Sequence, residues 1–157
     1  MTSSAIIQDL IAARLDRVRE ASEKRDVDEL MSWYSKDARF SHVFNNISLQ
    51  GWDAIHDFYA AGYKAMPTFK ILDPKTTGFT PEFVACEMKC EGITAVDLPQ
   101  AQLQAGETLR LTGVSLFWWK WEGPGENWDG SLSEEAVRGW KITEERAYFT
   151  EPKANSG

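Results

Sequence analysis

The hydrophobic period of this sequence changes at Pro67, and this change constrains the fold more than any other feature. Before Pro67, apolar residues recur mainly at helical spacing, and after it they alternate with polar residues almost to the end. Spacing of three and four residues is typical of amphipathic helices, whereas alternation is typical of half-buried strands. The sequence therefore predicts a largely helical first part followed by four long strands.

Three helices are predicted in the first part of the chain. Ser3 or Ser4 can cap the first helix, and Asp26 can cap the second, with Glu29 completing a capping box. The third helix must end before Pro67, because proline and the residue ahead of it resist helical geometry. The predicted spans are about 3–24, 26–35 and 51–66.

One strand is predicted before the third helix, and the predicted strand spans are about 38–44, 68–72, 83–92, 108–121 and 138–149. Consecutive strands without intervening helices pair antiparallel, and helices segregated from them indicate the α+β class. We expect a cone-shaped α+β barrel, with three N-terminal helices packed on a curved antiparallel sheet that encloses a pocket. Residues 1–157 would form a single domain with an ordered core of about 5–150.

Composition and charge exclude several classes of partner. The net charge of −7 argues against nucleic acid and anionic membranes, which attract basic surfaces. No apolar run approaches the roughly 20 residues that span a bilayer, and the N-terminus lacks the pattern of a signal peptide. Cys86 and Cys90 would lie about 13 Å apart on one strand, too far for a disulfide. We therefore expect a reduced, cytoplasmic protein.

His42 is the clearest candidate for acid–base chemistry. Alternation along the first strand places it on the same face as Phe40 and Phe44, so a titratable ring lies on an otherwise apolar face. A histidine titrates near pH 6.5 and can donate or accept a proton at neutral pH. The alternative is a core histidine that is hydrogen-bonded to a tyrosine hydroxyl.

The last strand supplies a candidate carboxylate. Glu144 and Arg146 share a face with Trp140, and the apolar residues of that set favour placing it inside, where burial can raise a carboxyl pKa. The alternative parity places Glu145 inside and leaves Glu144 and Arg146 in water or at an interface.

Further side chains could assist at the pocket. Arg39 lies on the face opposite to His42 and is either exposed or in a dimer contact, unless a bulge turns it inward to polarise a carbonyl. Tyr59 and Tyr63 on the third helix are either core residues or donors to a carbonyl oxygen. Ser115 could donate one hydrogen bond to a ligand. Phe40, Phe117 and Trp119 complete the predicted binding residues.

Motifs for cofactors and metals are missing from the sequence. There is no Gly-x-Gly-x-x-Gly, no Walker loop and no CxxC, and the only histidines, His42 and His56, do not suggest a zinc site. We therefore expect a mechanism without cofactor or metal.

Several segments resemble the SnoaL-like branch of the nuclear-transport-factor-2-like superfamily. They are Arg25–Leu30, Tyr34–Ala38, Leu49–Ile55, Phe58-Tyr59 and Gly139–Ile142, and the resemblance extends over about residues 5 to 150. It implies the cone fold with its pocket. It is a poor guide to chemistry, because this superfamily contains isomerases, hydrolases, dehydratases, cyclases and binding modules.

The resemblance also allows a comparison with ketosteroid isomerases, which share this fold. Their general base would fall on His42, but their oxyanion tyrosine would fall on Val18 and their protonated aspartate near Ser115. Ketosteroid isomerisation is therefore not expected. The catalytic trio of limonene-type epoxide hydrolases and the two-histidine site of scytalone dehydratases are not evident either.

The expected function is a cofactor-independent isomerase or cyclase of secondary metabolism. It would act on an apolar polycyclic or polyketide-like small molecule, with His42 as base or acid and Glu144 and Arg39 assisting. The alternative is a non-catalytic small-molecule-binding or dimeric assembly module of the same fold. A homodimer through the outer sheet face is expected, because Leu116 and Trp118 lie on the face opposite to Phe117.

Overall fold

The computed structural model describes residues 2–151, which form four α-helices and six strands. The helices are α1 (Ser4–Glu23), α2 (Val27–Met31), α3 (Trp52–Ala65) and α4 (Glu134–Arg138). The strands are β1 (Tyr34–His42), β2 (Ile47–Gln50), β3 (Lys70–Thr80), β4 (Phe83–Ile93), β5 (Thr108–Trp121) and β6 (Trp140–Thr150). Helices packed on a curved sheet confirm the α+β class. No helix within these residues is long and apolar enough to cross a membrane.

The predicted helix starts are confirmed by their caps. The Ser3 hydroxyl accepts a hydrogen bond from the Ile6 amide at the start of α1, at 3.3 Å. The Asp26 carboxylate accepts one from the Glu29 amide at the start of α2, at 3.1 Å. Each cap satisfies a backbone donor that the first helical turn leaves unpaired.

The sheet has the strand order β2-β1-β6-β5-β4-β3. Strands β3 to β6 pair antiparallel, as predicted. However, β1 pairs parallel with β6, with Phe40 beside Glu145, so a fully antiparallel sheet was a wrong expectation. The two strands are far apart in sequence, and only the intervening chain fixes their relative direction. The barrel prediction is also wrong, because β2 and β3 form the two edges and do not pair with each other.

The first strand region differs from its prediction. β1 begins at Tyr34 rather than near residue 38, and the predicted break at Lys36 and Asp37 lies inside the strand with both side chains exposed. A left-handed turn at Asn46, with φ 54°, leads into β2. The strand β2 was not predicted. Pairing with β6 and burial of Tyr34 override the local preferences of this segment.

A β-bulge in β6 has the largest consequence for the pocket. On β5, Trp118 pairs with Glu144 while the next residue, Trp119, pairs with Ile142, so Thr143 is an extra residue in β6. The Thr143 hydroxyl donates to the Trp118 carbonyl at 3.2 Å. An extra residue reverses the alternation beyond it. The buried residues of β6 are accordingly Trp140 and Ile142 before the bulge, and Glu145, Ala147 and Phe149 after it.

Helices α1 and α3 cover the concave face of the sheet. Leu10, Ile11 and Val18 of α1 and Ile55 of α3 are buried against it. Burial of these apolar side chains stabilises the fold by roughly 1.5–3 kcal/mol for each fully buried residue. The two helices do not fill the concavity, and the space that remains is the candidate site.

Candidate active site

A cavity of about 520 Å³ lies between the two long helices and the concave face of the sheet. Its lining is mainly apolar and includes Phe40, Phe58, Met88, Leu111, Phe117 and Phe149. Exposed residues such as Asp16, Asn45 and Gln100 also line it, so the cavity reaches solvent. Gln100 and Leu98 belong to the connection between β4 and β5, so this loop forms part of the rim. A cavity of this size, with a few polar groups on apolar walls, is typical of small-molecule sites.

Glu145 is the buried carboxylate of this cavity, with 5% of its surface exposed. Its Oε1 accepts hydrogen bonds from the Tyr34 hydroxyl at 2.5 Å and the Tyr59 hydroxyl at 2.8 Å. Its Oε2 accepts one from the Ser115 hydroxyl at 3.4 Å. We call these four residues the carboxylate cluster. Three donors on one carboxylate fix its position and satisfy its oxygens although the side chain is buried.

Four structural elements bring the carboxylate cluster together. The bulge at Thr143 turns Glu145 inward, and β5 presents Ser115 from the neighbouring strand. Tyr34 begins β1, and Tyr59 reaches in from α3, with the two phenol oxygens 3.3 Å apart. The cluster therefore depends on residues that are distant in sequence.

Burial sets the protonation behaviour of the cluster. Desolvation raises the pKa of Glu145 above its usual value, while the hydrogen bonds from Tyr34 and Tyr59 act in the opposite direction. Desolvation and the nearby Glu145 carboxylate raise the pKa values of both tyrosines well above 10. The tyrosines thus remain hydrogen-bond donors, and Glu145 is a stronger base than a solvated glutamate.

His42 lines the same cavity, as predicted. It lies two residues beyond Phe40 on β1, and Phe40 is the residue paired with Glu145. Its ring packs near Phe149, with centroids 6.3 Å apart, and its Nδ1 is buried without a hydrogen-bond partner within residues 2–151. Desolvation lowers the pKa of His42, so the ring is neutral at pH 7. The alternative, a core histidine hydrogen-bonded to a tyrosine hydroxyl, is not found among the described residues.

The inward placement predicted for Glu144 and Arg146 is wrong, and Arg39 is exposed, which was one of its two predicted placements. All three lie on the outer face of the sheet, where Glu144 is 3.5 Å from Arg39 and 3.1 Å from Arg146. Arg39 and Arg146 are exposed, and Glu144 lies half-buried between them. The bulge causes this reversal, because it moves Glu144 out and Glu145 in. The register between β1 and β6 shifts between Tyr34 and Arg39 and is regular from Arg39 to His42, and the Arg39 side chain remains exposed.

Most predicted binding residues line the cavity, with one exception. Phe40, Tyr59, Tyr63, Ser115 and Phe117 all contribute to the lining. Trp119 does not, because α1 covers it and the Arg14 guanidinium lies over its ring. The prediction that Trp119 lines the pocket is therefore wrong.

Tyr34 is the site residue that sequence analysis missed. It was assigned to the end of the second helix, although it shares strand parity with the buried Ala38 and Phe40. That shared parity was the available clue. Glu145 appeared only as the alternative parity of the last strand, and nothing in the alternation marks the bulge that selects it.

The two cysteines also face the cavity. Cys86 and Cys90 are free and buried, and burial raises their pKa values to about 11 and about 12. Both thiols are therefore protonated at neutral pH and are not activated nucleophiles. Within residues 2–151, no group of three His, Cys, Asp or Glu side chains could hold a metal ion.

The architecture and its pocket define the general class of the protein. A curved sheet of six strands, covered on its concave side by two long helices around an apolar cavity, is the nuclear-transport-factor-2-like fold. The family model for the SnoaL-like domain matches residues 15–123. The chain belongs to the SnoaL-like family, as its sequence motifs predicted.

Solved structures share this fold at low sequence identity. A proposed polyketide cyclase from Xanthomonas campestris pv. campestris superposes with a TM-score of 0.68 at 16% identity, covering 94% of this chain and 92% of its own. A proposed isomerase from Bacillus subtilis gives 0.61 at 16% identity, covering 92% and 88%. A proposed hydroxylase from Streptomyces galilaeus gives 0.62 at 15% identity, covering 94% and 91%. No curated protein sequence matches this chain.

Proposed function

We propose that this protein is a cofactor-independent isomerase or cyclase that acts on an apolar polycyclic or polyketide-like small molecule. The observation that carries the proposal is the carboxylate cluster, a buried Glu145 held by three hydroxyl donors in an apolar cavity. The names of the polyketide cyclase and the isomerase among its structural relatives support the same reaction class.

The proposed reaction begins with proton transfer from carbon to Glu145. The carboxylate takes a proton from a carbon next to a substrate carbonyl, and the electron pair of that C–H bond forms an enolate. In an isomerisation the proton returns to another carbon. In a cyclisation the enolate carbon attacks a second carbonyl of the same molecule, a C–C bond forms, and the new alkoxide takes up a proton. The raised pKa of Glu145 favours this role, because a base is most effective when its pKa lies near the working pH.

His42 is proposed as the second acid–base group. As a neutral ring on the same wall of the cavity, it can donate or accept a proton at the substrate oxygen while Glu145 acts at carbon. Tyr34, Tyr59 and Ser115 hold the carboxylate, and Phe40, Tyr63 and Phe117 are proposed to bind the apolar body of the substrate. Glu144 and Arg39 have no part in this mechanism.

The proposal can be tested with 2-tetralone, a bicyclic ketone whose C–H bonds next to the carbonyl are acidic. Exchange of these hydrogens for deuterium in D₂O is followed by NMR. We expect the protein to accelerate exchange, Glu145→Gln to remove the acceleration, and Glu144→Gln to retain it. Saturable binding of 2-tetralone without accelerated exchange would favour the non-catalytic binding module instead.

A homodimer through the outer sheet face is part of the proposal. Leu116 and Trp118 lie half-buried on that face, with the Phe83 ring 5.1 Å from Trp118 and the Arg146 guanidinium 5.0 Å from it. This apolar and aromatic surface is available to a second copy. Light scattering at micromolar concentration should give twice the monomer mass, and Trp118→Glu should reduce it to the monomer mass. A wild-type monomer would refute the dimer and leave the catalytic proposal intact.

The free thiols favour a reducing compartment, which supports a cytoplasmic location.

A further inference from the structure

Arg14 of α1 is a buried cation whose donors have no acceptor. The side chain is 0% exposed, and its Nε and both Nη atoms lack a hydrogen-bond partner within residues 2–151. The guanidinium lies 4.2 Å from the ring centroid of Trp119 and 5.2 Å from that of Trp140. It is therefore enclosed by aromatic side chains rather than by carboxylates.

The surrounding tryptophans add further unpaired donors. The indole nitrogens of Trp33, Trp119 and Trp140 are also buried without a partner in the described part of the chain. The Trp33 and Trp119 rings contact each other, with centroids 6.5 Å apart. We call Arg14, Trp33, Trp119 and Trp140 the donor nest. Guanidinium and indole nitrogens donate hydrogen bonds and cannot accept them, so the side-chain polar groups of the nest are all donors.

The donor nest lacks a paired counter-charge from the protein. Glu82 acts on Arg14 from a distance, but it is exposed, and no ion pair within residues 2–151 includes Arg14. Burial lowers the pKa of Arg14 to about 9, so the guanidinium remains charged at neutral pH. Cation–π contact offsets part of the desolvation cost, but it satisfies none of the in-plane N–H donors.

We propose that the donor nest binds a monovalent inorganic anion of about the size of chloride. Such an ion neutralises the buried charge and accepts several hydrogen bonds at once. A water molecule would bring two further donors into a set of side chains that offers no acceptor. The carboxylate of a pocket ligand is a poor candidate, because none of the four nest residues lines the cavity. Phe117, which does line it, packs against Trp119 at 6.4 Å.

The site can be located by crystallography. Crystals of the full chain grown in sodium bromide should show an anomalous difference peak at hydrogen-bonding distance from the Arg14 nitrogens. Crystals of the Arg14→Met variant should lack this peak, because the variant keeps a long apolar stem but loses charge and donors. No wild-type peak at the nest would overturn the proposal, as would a direct ion pair between Glu82 and Arg14 in the crystal.

A solution measurement tests the same site independently. Because the anion binds only the folded state, Tm should rise by roughly 3–6 °C for each tenfold increase in chloride above its Kd. Sodium gluconate at matched ionic strength should not reproduce this rise, since gluconate is too large for a fully buried site. Coincident Tm curves in the two salts would contradict the proposal.

Arg138→Met is the matched control for these measurements. The Arg138 guanidinium also lies over a tryptophan of the nest, 5.1 Å from the Trp33 ring centroid, but it bonds Glu29 at 2.7 Å and Glu134 at 2.8 Å. Its charge is already paired. The chloride dependence should therefore persist in Arg138→Met and vanish in Arg14→Met, and its loss in both variants would refute a site specific to Arg14.

Discussion

Glu144 and Glu145 are adjacent in β6 but lie in opposite environments. Glu144 lies on the outer face between the exposed Arg39 and Arg146, where guanidinium groups balance its charge. Glu145 lies on the inner face, where it is buried and held by the hydroxyls of Tyr34 and Tyr59. The first carboxylate has cationic partners, and the second has only neutral donors.

This difference shows that chemistry at a glutamate depends on its surroundings. Ion pairing on a surface adds little to folding stability. Burial with neutral donors leaves a charge that the protein only partly compensates, and the pKa of Glu145 rises as a result. The proposed function assigns proton transfer to the inner face of β6 and the homodimer contact to the outer face.

The largest expected effect is on the rate of exchange and concerns His42, the second proposed acid–base group of the cavity. His42→Gln should slow deuterium exchange of 2-tetralone by about 10²–10³-fold, because it removes one acid–base group from the cavity. His56→Gln is the control, since His56 lies outside the cavity and contacts Asp28 and Asp57 at 3.3 Å. It should leave exchange unchanged. Equal rates in the two variants would exclude His42 from the mechanism.

The next effect concerns the donors that hold Glu145. Tyr34→Phe and Tyr59→Phe should each cost roughly 1–3 kcal/mol of unfolding free energy, because each leaves the buried carboxylate with one donor fewer. Urea unfolding measures this loss. Tyr148→Phe, on the outer face, should change stability by no more than about 0.5 kcal/mol. If the three variants were equally stable, the carboxylate cluster would not be structurally important.

The same tyrosine variants should also shift the pH–rate profile of exchange. Both hydroxyls lower the pKa of Glu145, so removing either one raises that pKa further. Because the carboxylate form is the proposed base, the acid limb of the profile should move to higher pH. An unchanged acid limb would assign it to another group.

A smaller effect is expected in the pH dependence of stability. The folded-state pKa of Glu145 is raised above its ordinary value of 4.5. Its contribution to stability is therefore fully present below pH 4.5 and is lost as pH rises through the folded-state pKa. Urea unfolding between pH 4 and 8 should show Glu145→Gln gaining stability over wild type as pH rises through this window.

His42 does not disturb this comparison. Its lowered pKa makes stability rise with pH, up to the ordinary value of 6.5, but it contributes equally to wild type and Glu145→Gln and cancels in the difference. If the difference in unfolding free energy between Glu145→Gln and wild type did not change with pH, burial would not raise the pKa of Glu145.

The smallest effect is expected on the outer face. Arg39→Ala should cost less than about 1 kcal/mol, because an exposed arginine contributes little through a surface ion pair. The loss should shrink further in high salt, and urea unfolding at two salt concentrations measures both values. A loss as large as that of Tyr34→Phe would contradict the contrast between the two faces.

Much of the fold could be predicted from local patterns. The caps at Ser3 and Asp26, the end of α3 before Pro67, and the bounds of β5 follow from residue preferences that act over a few positions. The position of His42 in the cavity lining also follows from a local pattern, because His42 breaks the apolar face of β1. The parallel pairing of β1 with β6 could not be predicted, since it joins strands that are far apart in the chain.

The sequence by itself determined most of the elements, the α+β class and the family, because periodicity and caps are local properties. Only the tertiary structure decided which carboxylate enters the pocket. Strict alternation in β6 allows either the even-numbered or the odd-numbered residues to face inward. The even-numbered residues do so before the bulge, and the odd-numbered residues do so after it. The register against β5 inserts Thr143 as an extra residue, and this turns Glu145 inward beside Tyr34 and Ser115. A bulge depends on the partner strand, so it leaves no mark in the alternation of the strand that carries it.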